Sequence, residues 1–218
     1  MIRPVLWLLL AGAAVGASWG QAFAHGPQVT SPSAPGSSDA FPISFGGAFS
    51  LIDQKGQQVT DKDFRGRFLL VFFGYTTCPD ICPTNLQTMA DALDKLGGAG
   101  DKVQPVFISV DPERDRPQVL ADYVSNFHPR LIGLTGSEQQ VSAVARAYRI
   151  HRGKIKLPDM KDGDYLVTHT PTTFLMGPDG KFLTLFPHDS DAGTMAKALG
   201  RYLSAKSKSF KAGTEAAA

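Results

Sequence analysis

The chain has 218 residues, 43% of them hydrophobic, enough for one sizeable core and not clearly for two. Its 22 basic and 20 acidic residues leave a net charge of +2, so nothing argues for a nucleic-acid surface. Thiol or imidazole chemistry has only two cysteines and five histidines to draw on.

Residues 1–24 read as a segment outside the fold. Arg3 is a minimal charged start, Val5 to Trp19 is apolar or small, and Ala22-Phe-Ala24 fits an A-x-A cleavage signal. A secretory signal peptide is the first reading. An uncleaved N-terminal anchor is the second, because Val5 to Ala24 is about 20 residues, barely enough to span. Both predict export, to the periplasm or the outer side of the inner membrane, and the second adds membrane association. Removing the segment takes away Arg3 and no acid, which leaves a charge of +1. His25 to Ala40, with Ser31-Pro-Ser-Ala-Pro-Gly-Ser-Ser38, reads as a flexible linker (25–40) ahead of a domain at 41–204.

Within the domain, Phe49-Ser-Leu-Ile52 and Gln57-Gln-Val-Thr60 flank a Gly turn and predict a hairpin. Arg67 to Phe73 is an apolar run of buried-strand type. Pro83 to Leu96 is helical, with Leu86, Met89, Leu93 and Leu96 at intervals of three or four and Gly97-Gly98 as the stop. That apolar stripe is ordinary core packing. Val103 to Val110 is the next strand, followed by the polar loop Asp111-Pro-Glu-Arg-Asp115. Helices are predicted over Pro117–Phe127 and Ser137–Tyr148, the second opening on a capping box, with a short strand at Leu131–Leu134 between them. Ile150–Leu157 reads as a strand or hairpin arm, and Tyr165–Thr168, Thr172–Met176 and Lys181–Phe186 as strands. Ala192–Leu203 is a last helix, and 205–218 a disordered tail. No internal repeat is present. The order βαβ then ββα predicts an α/β domain of thioredoxin-like fold, a mixed β-sheet flanked by helices.

Both cysteines lie in Gly74-Tyr-Thr-Thr-Cys-Pro-Asp-Ile-Cys-Pro-Thr84, at a strand-to-helix junction, where an α/β sheet presents its ligand crevice. Each precedes a proline, which disfavours helical backbone, so Cys78 and Cys82 are expected on the loop, with Pro83 as first helical residue and Cys82 near the N-cap. There the helix amides and dipole favour a thiolate, which serves equally as soft-metal ligand and redox nucleophile. A purely structural disulfide is the weaker reading. Closing so short a loop gains only about 2 kcal/mol.

A metal site needs a third donor. His25 lies in the linker, and a lone His such as His128, His151 or His188 is ordinarily a solvated or core imidazole. His169 stands apart because it precedes strand Thr172–Met176, at the loop that a thioredoxin-like fold brings against the cysteine turn. Pro171 lies where that fold carries a cis-proline, so Thr170–Pro171 is expected to be cis. Two thiolates and one imidazole make a soft, incompletely closed donor set suited to copper, Cu(I) especially. Structural zinc wants four closed ligands, which this chain does not offer. The peroxidase pattern Pro-x-x-x-Thr-x-x-Cys also fails, since its Pro and Thr fall on Val71 and Tyr75.

Gly74 to Thr84, Ser109-Val-Asp-Pro-Glu-Arg-Asp115, and Asp164-Tyr-Leu-Val-Thr-His169 followed by Gly177-Pro-Asp-Gly180 resemble the Sco/SenC proteins, in matching order from about Phe41 to Leu203. The resemblance implies a thioredoxin-like, membrane-facing copper chaperone that helps assemble the dinuclear copper centre of cytochrome c oxidase subunit II. It carries Cys78, Cys82 and His169 over as copper ligands, for Cu(I) or Cu(II). The family often has Asp just before the His, where this chain has Thr168, which bears on how the imidazole is oriented. Asp80 and Asp111 are candidates for tuning the site or, equally, for capping loops. Met160 is a candidate weak fourth ligand, though an ordinary loop residue is the preferred reading. The alternative function is a thiol–disulfide oxidoreductase that cycles Cys78 and Cys82 to keep partner cysteines reduced. Other expected partners are periplasmic copper carriers or thiol–disulfide reductants. General reductants of this fold use Cys-x-x-Cys, whereas three residues separate the pair here.

Overall fold

The computed structural model describes residues 45–215, with side chains through 205. The expected leader and linker lie outside the described residues. Nine strands and four α-helices follow in chain order: β1 Ser50–Asp53, β2 Gln58–Thr60, β3 Phe68–Gly74, α1 Ile81–Leu96, β4 Val103–Ser109, α2 Pro117–Val124, β5 Ile132–Thr135, α3 Glu138–Ala147, β6 Arg152–Ile155, β7 Leu166–His169, β8 Thr173–Met176, β9 Phe182–Phe186 and α4 Ala192–Glu215. Seven strands form one mixed sheet in the order β2-β1-β5-β4-β3-β8-β9, and β6-β7 form a separate antiparallel pair. This is the expected thioredoxin-like α/β fold.

β3 reads Phe-Leu-Leu-Val-Phe-Phe-Gly and is buried at every position, as a central strand covered on both faces must be. It runs parallel to β4, from Phe68 opposite Val103 to Gly74 opposite Ser109. Antiparallel β8 lies on its other side, from Leu69 opposite Met176 to Phe72 opposite Thr173. Phe72, Phe73, Phe107, Leu70, Ile108 and Leu175 are fully buried, each contributing about 1.5–3 kcal/mol of apolar burial. β4 accommodates Pro105 because its pairing with β5 begins one residue later, at Val106 opposite Ile132. Gln104 Nε2 donates to the Pro105 and Arg130 carbonyls beside it, at 3.0 and 2.6 Å.

The capping box opening α3 forms in full: Ser137 Oγ accepts from the Gln140 amide at 3.2 Å, and the Gln140 side-chain oxygen accepts from the Ser137 amide at 2.8 Å. Three expectations are corrected. Helix α1 starts at Ile81, two residues before Pro83, so Cys82 is its second residue and Pro83 its third. Proline is tolerated there because the first amides of a helix have no partner within it. The Thr170–Pro171 bond is trans, as every described peptide bond is. Helix α4 continues through Glu215, past the Leu203 end expected from the pattern, so 205–215 is helical where a disordered tail was expected. No helix among the described residues is long and apolar enough to cross a membrane.

Helix α1 is held by its apolar stripe, with Leu86 and Met89 each 1% exposed and Leu93 2%. Leu86→Ala is expected to destabilise the domain by about 2–5 kcal/mol. Urea denaturation should show a lower midpoint at unchanged slope, and a loss below about 1 kcal/mol would mean that α1 does not anchor this core.

Candidate metal centre

The parallel pairing of β3 and β4 sets Gly74 beside Ser109 at the carboxyl end of the sheet, and the Val110 amide donates to the Gly74 carbonyl at 2.8 Å. The cysteine turn leaves from that point. A Cβ on Gly74 would fall 2.7 Å from Cys82 Sγ and 2.8 Å from Phe107 Cε2, so only glycine leaves room for the sulfur. The turn is fixed from below by Asp115. Its carboxylate accepts from the Thr76 amide at 3.1 Å, the Thr76 hydroxyl at 2.6 Å and the Ser109 hydroxyl at 2.6 Å. Asp115 has no exposed surface, and burial raises its pKa against these three donors.

Cys78 is half-buried and Cys82 fully buried, both as free thiols. They are electrostatically unlike. The Cys82 thiol donates to the Cys78 sulfur, and with help from the Cys82 and Asp80 amides and the Tyr75 hydroxyl this lowers the Cys78 pKa to about 5. The same hydrogen bond, with burial, pushes Cys82 far above the ordinary thiol range. Cys78, on the loop, is therefore the thiolate, whereas the sequence placed thiolate character on the cysteine at the helix N-terminus. The helix amides do act, but on the neighbouring sulfur, because the hydrogen bond between the thiols, and then burial, hold the proton on Cys82.

His169 is the last residue of β7, paired with Arg152 across the small hairpin, and not in the loop expected for it. Its Nε2 lies 3.6 Å from Cys82 Sγ. Phe72 and Tyr75 pack edge-on against the ring, with centroids 6.2 and 5.8 Å away. Burial lowers its pKa, against a hydrogen bond to the Phe73 carbonyl, so the ring is neutral at neutral pH. A neutral imidazole carries one N–H and one free lone pair, so one ring nitrogen is available to a metal. The hairpin is tied to the sheet by Arg152, whose Nη1 donates to the Val110 carbonyl at 2.7 Å.

The structure thus brings the three sequence-predicted residues together pairwise, Cys78 with Cys82 and Cys82 with His169. Among the described residues no three His, Cys, Asp or Glu side chains are set to hold a metal ion as they stand. The other candidates take different roles. The Asp80 side chain is exposed and makes no capping bond, and its backbone amide is what reaches Cys78. Asp111 turns away from the thiols, toward Tyr165 and Arg114. Met160 Sδ accepts from the Leu157 amide at 3.5 Å within its own loop. His128 accepts from the Arg130 amide at 3.1 Å. Asp115, Gly74 and Tyr75 went unassigned from sequence, although all three lie inside the motif blocks already singled out.

A thioredoxin-like domain with an ionised and a protonated thiol and a neutral imidazole at one sheet end is a defined class of site, fit for soft-metal capture or thiol exchange. Comparison with known proteins narrows it. Residues 37–204 match the family model SCO1/SenC, and the chain belongs to that family. It is 44% identical to Protein sco1 of Schizosaccharomyces pombe over 164 residues, covering 75% of this chain and 62% of that protein. It is 42% identical to the mitochondrial SCO1 homolog of Homo sapiens over 160 residues, covering 72% of this chain and 52% of that protein. The chain thus spans less than two thirds of either relative's length. Bradyrhizobium japonicum ScoI, solved with copper bound, is 44% identical and superposes with a TM-score of 0.67, covering 72% of this chain and 99% of that one. BsSco, a member of the Sco family of cytochrome c oxidase assembly proteins in which a disulfide switch was identified, is 26% identical with a TM-score of 0.59, covering 75% and 96%.

The asymmetry of the thiols sets a pH prediction. Ultraviolet thiolate absorbance of the reduced chain should rise through a midpoint of about 5, to one thiolate per chain at neutral pH. The folded-state pKa is depressed, so the stability that the Cys78 thiolate contributes is present above the ordinary thiol range and is lost as pH falls through about 5. Cys82→Ala removes the main cause and should move the midpoint up toward an ordinary thiol. A midpoint unmoved by Cys82→Ala would show that the thiol–thiolate bond is not what ionises Cys78.

Proposed function

We propose that this chain is an exported copper metallochaperone, whose cargo is held by Cys78, Cys82 and His169 and passed to the dinuclear copper centre of cytochrome c oxidase subunit II. The observation that carries this reading is the 3.6 Å between Cys82 Sγ and His169 Nε2. Metal bonds of about 2.1 Å to nitrogen and about 2.3 Å to sulfur, at tetrahedral or trigonal angles, put two such donors roughly 3.6–3.8 Å apart. The Cys82–His169 edge is therefore already spaced for a shared ion, and the Cys78 thiolate beside it supplies the charge. Two sulfurs and an imidazole suit copper by softness. The copper-bound structures of Bradyrhizobium japonicum ScoI and yeast Sco1 support the cargo assignment. The family's link to cytochrome c oxidase assembly, stated for BsSco, supports the destination. The N-terminal segment is the basis for placing the domain on the periplasmic side.

Capture requires the Cys82 proton to leave, so loading releases a proton and weakens as pH falls. Delivery follows by ligand exchange with an acceptor site, for which a donor set of three, half-open at Cys78, leaves room.

A second reading rests on the same asymmetry. A half-buried thiolate of low pKa beside a fully buried protonated thiol is the arrangement of a thiol–disulfide oxidoreductase: Cys78 attacks a partner disulfide, and Cys82 resolves the mixed disulfide after losing its proton. Its products are a Cys78–Cys82 disulfide and a reduced partner dithiol. The disulfide in turn removes both sulfur ligands from copper.

Copper retained after desalting separates the two. The reduced chain without residues 1–24 should hold one copper per chain, Cys78→Ala and Cys82→Ala should hold none, and His169→Ala should lose Cu(II) more than Cu(I), with a changed thiolate-to-copper band. Full retention in either cysteine variant would end the carrier assignment. No retention by the parent, with rapid reduction of a partner disulfide, would transfer the function to the second reading.

A further inference from the structure

The loop Asp111-Pro-Glu-Arg-Asp115 leaves the end of β4 carrying two carboxylates that are 1% and 0% exposed, yet neither touches a sulfur or the imidazole. Buried carboxylates are costly unless fully hydrogen-bonded, and here their bonds run in opposite directions. Asp115 spends both oxygens on the cysteine side, on Thr76 and on Ser109. Asp111 spends both on the histidine side. Its Oδ1 accepts from the Tyr165 hydroxyl at 2.8 Å, and its Oδ2 from Arg114 Nε at 2.5 Å. Arg114 closes the arm. Its Nη1 donates to the Tyr165 carbonyl at 3.0 Å, and its guanidinium lies 3.8 Å from the Tyr165 ring centroid. Tyr165 directly precedes β7, the strand that ends at His169. The two arms meet at the backbone of Asp111, whose carbonyl accepts from the Asp115 amide at 2.9 Å and whose amide donates to the Ser109 hydroxyl at 3.0 Å, while the Asp111 carboxylate itself is given to Tyr165 and Arg114 alone among the described residues.

We infer that Asp115 and Asp111, with Arg114 and Tyr165, are positioning residues forming a two-armed clamp, in which the Asp115 carboxylate sets the cysteine turn and the Asp111 carboxylate, through separate side-chain contacts, sets the height of the His169 strand above it. The inference rests on the proposed ligand set, and assigns each half of that set its own support. Its consequence is a split by oxidation state. Cu(I) is satisfied largely by the two sulfurs, whereas Cu(II) depends more on the imidazole. Loosening the Asp111 arm therefore removes Cu(II) selectively, and loosening the Asp115 arm removes both.

Tyr165→Phe deletes only the hydroxyl that reaches Asp111. Asp115→Asn keeps shape while removing one acceptor from the other arm. Amide hydrogen exchange on the metal-free chain reads each arm directly. Tyr165→Phe should speed exchange in Leu166–His169 and leave Thr76–Cys78 unchanged, and Asp115→Asn should do the reverse. With copper, Tyr165→Phe should weaken Cu(II) retention by about tenfold with Cu(I) changed by less than about twofold, the scale expected for partners that orient a ligand. Asp115→Asn should weaken both together. Arms that loosen jointly in either variant, no change of exchange in either, or equal loss of Cu(I) and Cu(II) in Tyr165→Phe would each overturn the clamp. A parent chain that holds no copper would end the carrier reading, while the exchange comparison would still decide the clamp.

Discussion

The Cys82 sulfur sits where a side chain on Gly74 would be, and the rest of the site is arranged around that contact. Its hydrogen bond with Cys78, and its burial in a space closed by Phe107 and Phe72, keep Cys82 protonated. Because it keeps its proton, it donates to Cys78, which becomes the thiolate. Because it is fixed, it presents one known edge to His169, 3.6 Å away. The steric fact at the end of β3 and the hydrogen bond between the thiols thus set which thiol is charged, which is the more deeply buried, and which edge faces the imidazole.

This arrangement has an electrostatic consequence for the proposed cargo. The resting site holds one negative charge and one proton between two sulfurs. Exchanging that proton for Cu(I) leaves the net charge unchanged, so no further charge is buried on loading. Cu(II) adds a positive charge in a partly buried place, and the neutral imidazole of His169 is the further lone-pair donor available to it. The same proton, lost once Cys78 is joined to a partner sulfur, leaves a Cys82 thiolate that resolves that mixed disulfide and releases the partner thiol. Metal capture and thiol exchange therefore draw on one step, the release of the Cys82 proton, which is why sequence and geometry point to both.

Much of this was legible in the residues. The apolar run ending at Gly74, the helical spacing of Leu86, Met89 and Leu93, and the capping box at Ser137 fixed strand, helix and boundary by local pattern alone. Cys78, Cys82 and His169 were legible as a group because two cysteines in a strand-to-helix turn leave few partners. What escaped was whatever depends on three-dimensional burial. The prolines after Cys78 and Cys82 argued against helix at the second cysteine, yet the first turn of α1 has free amides and accepts Pro83 at its third position. The thiolate was assigned by helix dipole to Cys82, but the hydrogen bond with Cys78, and then burial, push its pKa up instead. Asp115 looked like any loop carboxylate, since nothing local reveals that Thr76, thirty-nine residues earlier, spends its amide and hydroxyl on it.

The most direct test of the account is copper K-edge X-ray absorption on the loaded, reduced chain. The account predicts a first shell of two sulfurs and one nitrogen, with the outer-shell pattern of an imidazole, and loss of that pattern in His169→Ala. A shell of nitrogen and oxygen alone, or of a single sulfur, would contradict it, because the buried Cys82 sulfur would then not be part of the site.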